Sequence, residues 1–294
     1  MSAARPIPSC AFYERLVMRV LFALLVYWAT PQALIVNGLP SPNGLARIID
    51  LHFLLEPRVF ALARMVLAAA LILYVLRVLV WLALPVALFV HVAANAVINA
   101  QGAIQHAMQI VSLVLLAQTA AHFYGLWRRR QGEARATLEN RAIWWSQQTI
   151  VAVYLVAGIT KLIVTHGLWF FQARWIGVSI AKSAYQSFYD TFDQATLQQQ
   201  LVVAHFAAAH GWIVALIAAV GLLLELGSPL MLVHRAWAAL LGCALLGFHL
   251  GLDHTMRLAF VYNQWLLIIF MINAPYWIVT GAQKIQRRAV VTSP

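Results

Sequence analysis

The sequence predicts an all-α integral membrane protein, a bundle of about eight transmembrane helices with both termini in the cytoplasm. Three observations predict it. Hydrophobic residues make up 63% of the 294 and charged residues only 10%, against about 25% charged in soluble domains. The apolar residues gather in segments close to the roughly 20 that a helix needs to cross a bilayer. Basic residues collect in alternate connections, as the positive-inside rule requires. The mean hydropathy of +0.80 fits the same class.

The qualifying segments are roughly 16–36, 59–76, 78–99, 104–126, 144–164, 211–233, 236–252 and 258–280, within one membrane domain spanning 1–294. The first carries Arg15 and Arg19 at its start and no small-residue cleavage site close behind it, so it reads as a retained signal anchor. The apolar run 59–99 is too long for one span and is divided near Arg77. The connection 165–210 is the longest. It mixes Trp169, Phe170, Phe171, Trp175 and Phe188 with Asp190, Asp193 and four glutamines between Gln194 and Gln200, and reads as a non-cytoplasmic loop along the interface or over a cavity. Trp144, Trp145, Trp212, Trp237 and Trp277 fall near segment ends, where an interfacial aromatic belt belongs.

A net charge of +11 would point to nucleic acid in a soluble protein. Here it sets orientation instead. With a cytoplasmic N-terminus, twelve basic residues fall on the cytoplasmic side: Arg5, Arg15, Arg77, Arg128 to Arg130, Arg135, Arg141, Arg235, Lys284, Arg287 and Arg288. Five (Arg47, Arg58, Arg174, Lys182, Arg257) fall opposite, with Arg19, Arg64 and Lys161 inside spans. Cys10 and Cys243 are the only cysteines and imply neither a disulfide framework nor a thiolate metal cage. No HExxH or CxxC ligand set, nucleophile elbow, Walker loop or GxGxxG occurs, so no metal, nucleotide or serine-hydrolase chemistry is expected.

Polar residues inside the spans carry the remaining information, because hydrocarbon offers them no partners. His91, Asn95 and Asn99 lie at i, i+4 and i+8 on one face of the third span, and the fourth brings Gln101, Gln105, His106, Gln109, Gln118 and His122. Interhelical hydrogen bonding accounts for most of these. Lys161 stands apart, one of only three lysines against seventeen arginines, in an otherwise apolar run. An intramembrane cation is by default a functional candidate. A lysine, unlike an arginine, can give up its proton when desolvated and so act as a base. Glu225, near the middle of the sixth span, must be paired or protonated, with Lys161 and Arg64 as its expected cations. His249 and Asp253 are four apart, a spacing at which the carboxylate can orient the imidazole. The eight-span topology brings Asn99, His106, Lys161, His249 and Asp253 to the non-cytoplasmic level.

Tyr154-Leu-Val-Ala-Gly-Ile-Thr-Lys161, then Leu222-Leu-Leu-Glu225-Leu-Gly-Ser-Pro-Leu, then Gly247-Phe-His249-Leu-Gly with Leu258-Ala-Phe260, resemble the membrane part of vitamin K-dependent gamma-carboxylases and their bacterial relatives, the HTTM (horizontally transferred transmembrane) proteins. The resemblance spans roughly Arg15 to Trp277, and its specificity lies in the order of the three motifs. It implies that Lys161 is the base that deprotonates a reduced, vitamin K-like quinone, and that His106 stabilises the carbanion formed at a glutamate. Asn99, Glu225, His249 and Asp253 would then position or tune them. The chain ends fourteen residues after Thr280, ahead of the large lumenal region of the animal enzymes. The expectation is therefore proton or redox chemistry on a membrane quinone rather than glutamate carboxylation, in a multi-pass protein of the bacterial cytoplasmic membrane, with membrane lipid as its partner and no nucleic acid. A non-enzymatic subunit or carrier, with purely structural buried polar groups, is the alternative reading. A proton-coupled transporter using Glu225 and the histidines is the third.

Overall fold

The computed structural model describes residues 8–34, 44–100, 106–256, 258 and 260–291, with His106, Arg174 and 287–291 described by their backbone alone. Among the described residues the regular structure is helical throughout: α1 (Phe12–Ala29), α2 (Pro57–Leu76), α3 (Val80–Asn99), α4 (Gln109–Arg129), α5 (Arg135–Val164), α6 (Trp169–Gln172), α7 (Ile176–Thr191), α8 (Gln194–Ala209), α9 (Gly211–Leu226), α10 (Arg235–Met256), α11 (Val261–Leu266) and α12 (Ala274–Val291). Six stretches are long and apolar enough to cross a membrane, namely α2, α3, α4, α5, α10 and 261–286. A seventh arises if α8 and α9, bent by 93°, count as one broken span. By length and composition these helices mark a multi-pass membrane protein.

The contacts divide the chain into two compact units, residues 1–150 with 268–294, and residues 151–267. In the first unit, α2 begins on a helix-start signal: Glu56 caps it by accepting from the Val59 amide at 2.7 Å, and Pro57 supplies the preset φ of the first turn. It ends at Arg77, whose left-handed φ of 66° breaks the long apolar run before α3 begins. Inside, the polar residues find one another. His91 Nδ1 lies 2.8 Å from the Thr30 hydroxyl, Asn95 Nδ2 donates to the His91 carbonyl, and the Tyr74 hydroxyl donates to Gln118 Oε1 at 2.6 Å. The π-turn Leu267–Ile272 widens the last span, and Gln147 Nε2 donates to its Phe270 carbonyl at 2.8 Å. Asn273, at a positive φ just beyond, donates to Glu14 Oε2 at 2.6 Å and so ties the last span to the start of α1.

In the second unit, the segment 165–210, expected to be a loop, is largely helical. Its polar and aromatic composition concealed a hairpin of α7 and α8 built on small residues. A Cβ at Gly177 would come within 2.8 Å of the Ala204 carbonyl and 2.9 Å of the Ala208 amide, so the two backbones approach as closely as glycine permits. Ile180, Ala204 and Ala207 are buried in the seam. The turn is marked by Phe192 at φ 56° and by Asp193, whose carboxylate accepts from the Ala195 and Thr196 amides at 3.1 Å, a well-formed N-cap. His205 lies in α8, and His210 stands at the bend into α9. The first predicted span is shorter than expected, since α1 ends at Ala29 and residues 35–43 lie outside the described set.

Candidate functional site

The second unit gathers the three motifs that the sequence strings out over more than a hundred residues. Lys161 sits near the C-terminal end of α5, and Glu225 one residue from the end of α9. Gly158, one turn before Lys161, explains how they meet: a Cβ there would stand 3.0 Å from Leu226 Cδ2 and 3.3 Å from Glu225 Cβ. A larger residue would hold α9 away. With glycine in place, Lys161 Nζ donates to both carboxylate oxygens of Glu225, to Oε2 at 2.6 Å. Ser228, in the Gly-Ser-Pro turn that ends α9, donates to the Val151 carbonyl at 3.2 Å and fixes the same two helices at a second level.

The third motif reaches α5 from α10. His249, 4% exposed, places Nε2 2.9 Å from the Tyr154 hydroxyl. Tyr154 precedes Lys161 by seven residues, two helical turns, so both face the same side of α5. Phe260 stacks obliquely on the imidazole at 4.9 Å, and Phe248 packs against Gly221, where a Cβ would come within 2.3 Å of its ring. Glycine again sets the spacing, here between α9 and α10.

The pair is asymmetric in exposure. The side chain of Glu225 is 7% exposed and that of Lys161 is 28%. The ammonium also lies 5.4 Å from the Trp169 ring centre, within range of a cation–π contact. The carboxylate is thus enclosed while the amine stays approachable, an arrangement in which an outside group meets the lysine first.

Of the six residues singled out from sequence, Lys161 and Glu225 bond directly, and His249 joins their unit through Tyr154. The His249–Asp253 pair expected from i, i+4 spacing is not formed. The imidazole turns toward α5 and Phe260 rather than along its own helix, Nδ1 is buried without a hydrogen-bond partner, and Asp253 is half-buried elsewhere on α10. Asn99, the last residue of α3, belongs to the first unit. His106 opens a short 3-10 turn in that unit, and its side chain lies outside the described residues, as do Gln101 and Gln105. Arg64, the other cation considered for Glu225, instead donates to the Thr30 and Pro31 carbonyls beside the Tyr27 ring.

Tyr154 and Gly158 stand within the first motif, but the sequence assigned them no role of their own. Both carried a signal: Tyr154 by its heptad spacing from Lys161, Gly158 as a glycine within a helix, where it costs stability without a packing reason. Among the described residues no three or more His, Cys, Asp or Glu side chains gather as a metal ion would need. Comparison with protein-family models, with curated proteins and with solved structures finds no match to this chain.

Proposed function

We propose that this is an HTTM-type membrane enzyme in which the Lys161–Glu225 pair takes a proton from a hydroxyl of a quinol-like lipid in a bacterial cytoplasmic membrane. One observation carries the reading: the polar residue of each of the three ordered motifs is bonded to a residue of another, Lys161 to Glu225 and His249 to Tyr154. Helix packing alone also pairs polar groups, so what supports a chemical role is that the pair includes a lysine, which can give up its proton, and leaves it the more exposed partner.

The pair lends itself to proton exchange. In the resting ion pair the ammonium hands one proton to Glu225, and the amine so formed takes one from the quinol hydroxyl. The products are a quinolate, a lysine ammonium and a neutral Glu225, so charge and protons balance. The ammonium is left beside the new anion, where low dielectric makes its stabilisation strong. Lys161 is the direct base and Glu225 the store for its proton. The enclosure of Glu225 and the exposure of Lys161 fit that order. The Tyr154–His249 bond, two turns along α5, ties α10 to the same face of that helix.

Dioxygen then oxidises the quinolate, one oxygen atom entering the quinone epoxide and the other leaving as water with the two quinol protons, so purified protein supplied with a reduced naphthoquinone and dioxygen tests this by chromatographic detection of the quinone epoxide. Wild type is expected to form it and Lys161→Ala not. Equal yields from two folded proteins would remove the lysine from the chemistry.

A further inference from the structure

A second polar site lies in the first unit, at the helix ends that the charge distribution assigns to the cytoplasm. A cavity of about 190 Å³ is lined by Arg19, Arg77, Arg129 and Arg135 around a single carboxylate, Glu139. Glu139 is 6% exposed and is shared: Arg77 Nη2 and Arg15 Nε bond it, the latter at 2.9 Å, while Arg19 Nη2 stands at 3.3 Å and Arg135 Nε at 3.8 Å. One carboxylate cannot neutralise so many guanidiniums. It holds them in place and leaves the cavity strongly positive. Arg129 lines the wall without a hydrogen bond or ion pair of its own among the described residues.

We propose that this cavity binds a phosphate-bearing anion, supplied by the head group of an anionic phospholipid. Guanidiniums match phosphate oxygens in planar, two-pronged fashion and keep their charge whatever the surroundings. The volume is below the roughly 300–1,000 Å³ of sites for drug-sized ligands and suits a head group. Leu79 and Trp81, about half exposed, stand at the rim and offer an apolar bed for acyl chains beside the polar cavity. Basic pockets between spans on the cytoplasmic side are a recurring means of holding such lipids. A soluble phosphate would use the arginines but not that rim.

The full-length protein in detergent, titrated with phosphatidylglycerol, with phosphatidylcholine of the same acyl chains, or with inorganic phosphate, separates the sources through its thermal midpoint. Phosphatidylglycerol is expected to raise the midpoint saturably and phosphatidylcholine not. Arg129→Gln, which breaks no bond in the fold, should weaken the apparent affinity about fivefold, the worth of one cation near a charged lipid surface. Arg130→Gln removes the same charge outside the cavity and should leave the affinity unchanged. A response to inorganic phosphate equal to that to phosphatidylglycerol, and equally sensitive to Arg129→Gln, would keep the phosphate site but overturn the lipid as its source. Equal responses to the two lipids, or equal losses in the two variants, would overturn the site itself.

Discussion

Glu139 and Glu225 are both buried carboxylates in a chain with nine acidic residues, yet they are held in opposite ways. Glu139 is ringed by arginines at the ends of helices, whereas Glu225 has a single lysine within an apolar motif. A guanidinium does not surrender its proton, so the first arrangement is a fixed electrostatic clamp. An amine can exchange its proton with a carboxylate, so the second is a site where protons move. Burial is therefore the smaller part of what separates a structural acid from a chemical one, and the partner cation is the larger.

The contrast is broken most directly by neutralising each acid. Glu139→Gln leaves several guanidiniums without their shared anion and should lower stability by about 3–5 kcal/mol, the usual cost of stripping one partner from a buried ion pair. Glu225→Gln should cost less, because the ammonium it abandons is 28% exposed and can recover some hydration. Thermal unfolding of the two variants in the same detergent measures the difference. The reverse order would mean that Glu225, not Glu139, is the clamp.

A double replacement sharpens the functional half. Lys161→Met alone leaves an enclosed carboxylate unpaired and should lower stability by up to about 3 kcal/mol, whereas Lys161→Met with Glu225→Leu should fall within about 1 kcal/mol of wild type, since apolar groups of similar volume often replace a buried pair neutrally. The double variant should nonetheless form no quinone epoxide. A stable and active double variant would return the pair to a purely structural role.

The class of the fold was legible in the sequence because hydropathy and charge placement are read residue by residue. Arg77 marked the break in the run 59–99, and the basic clusters marked helix ends. The hairpin of α7 and α8 was not legible, because glutamines and exposed aromatics imitate loop composition while the packing signal rests on Gly177 meeting two alanines thirty residues away. In the candidate site, Lys161 announced itself by its cost, and Glu225 by the need for a cation. The Tyr154–His249 bond was hidden, since the spacing of His249 and Asp253 offered a local partner that tertiary packing overrides. The arginine cavity was hidden for a related reason: Arg15 and Arg19 on α1, Arg77 at the end of α2 and Arg135 at the start of α5 lie on three separate stretches, and only the fold shows that they share Glu139.

Two glycines, one in each unit, differ in what the neighbouring helix brings against them, and substitutions test that. Gly177→Ala drives a methyl into the backbone of α8, which cannot yield without moving the helix, and should cost about 1–3 kcal/mol. Gly125→Ala in the first unit meets only the side chain of Leu138, nearest at Cγ 2.5 Å away. That side chain can change rotamer, so the loss should be smaller. Unfolding midpoints of the two variants, measured side by side, check the order.

The smallest effect separates an arginine-held acid that titrates from one that is enclosed. Glu133 lies in the connection between α4 and α5, and Arg141 bonds both its oxygens, with Nη1 to Oε2 at 2.7 Å. The guanidinium holds the Glu133 carboxyl below its ordinary value of 4.5. A depressed folded value means that the pair stabilises the protein fully above about pH 4.5 and loses that contribution as the pH falls through the folded value. The contribution should be about 1 kcal/mol or less, as for ion pairs near the surface. The unfolding midpoints of wild type and Glu133→Gln should accordingly differ slightly at about pH 7 and converge by about pH 3. A gap that persists into acid would show that the arginine, rather than the charge on the carboxylate, is what the helix junction requires.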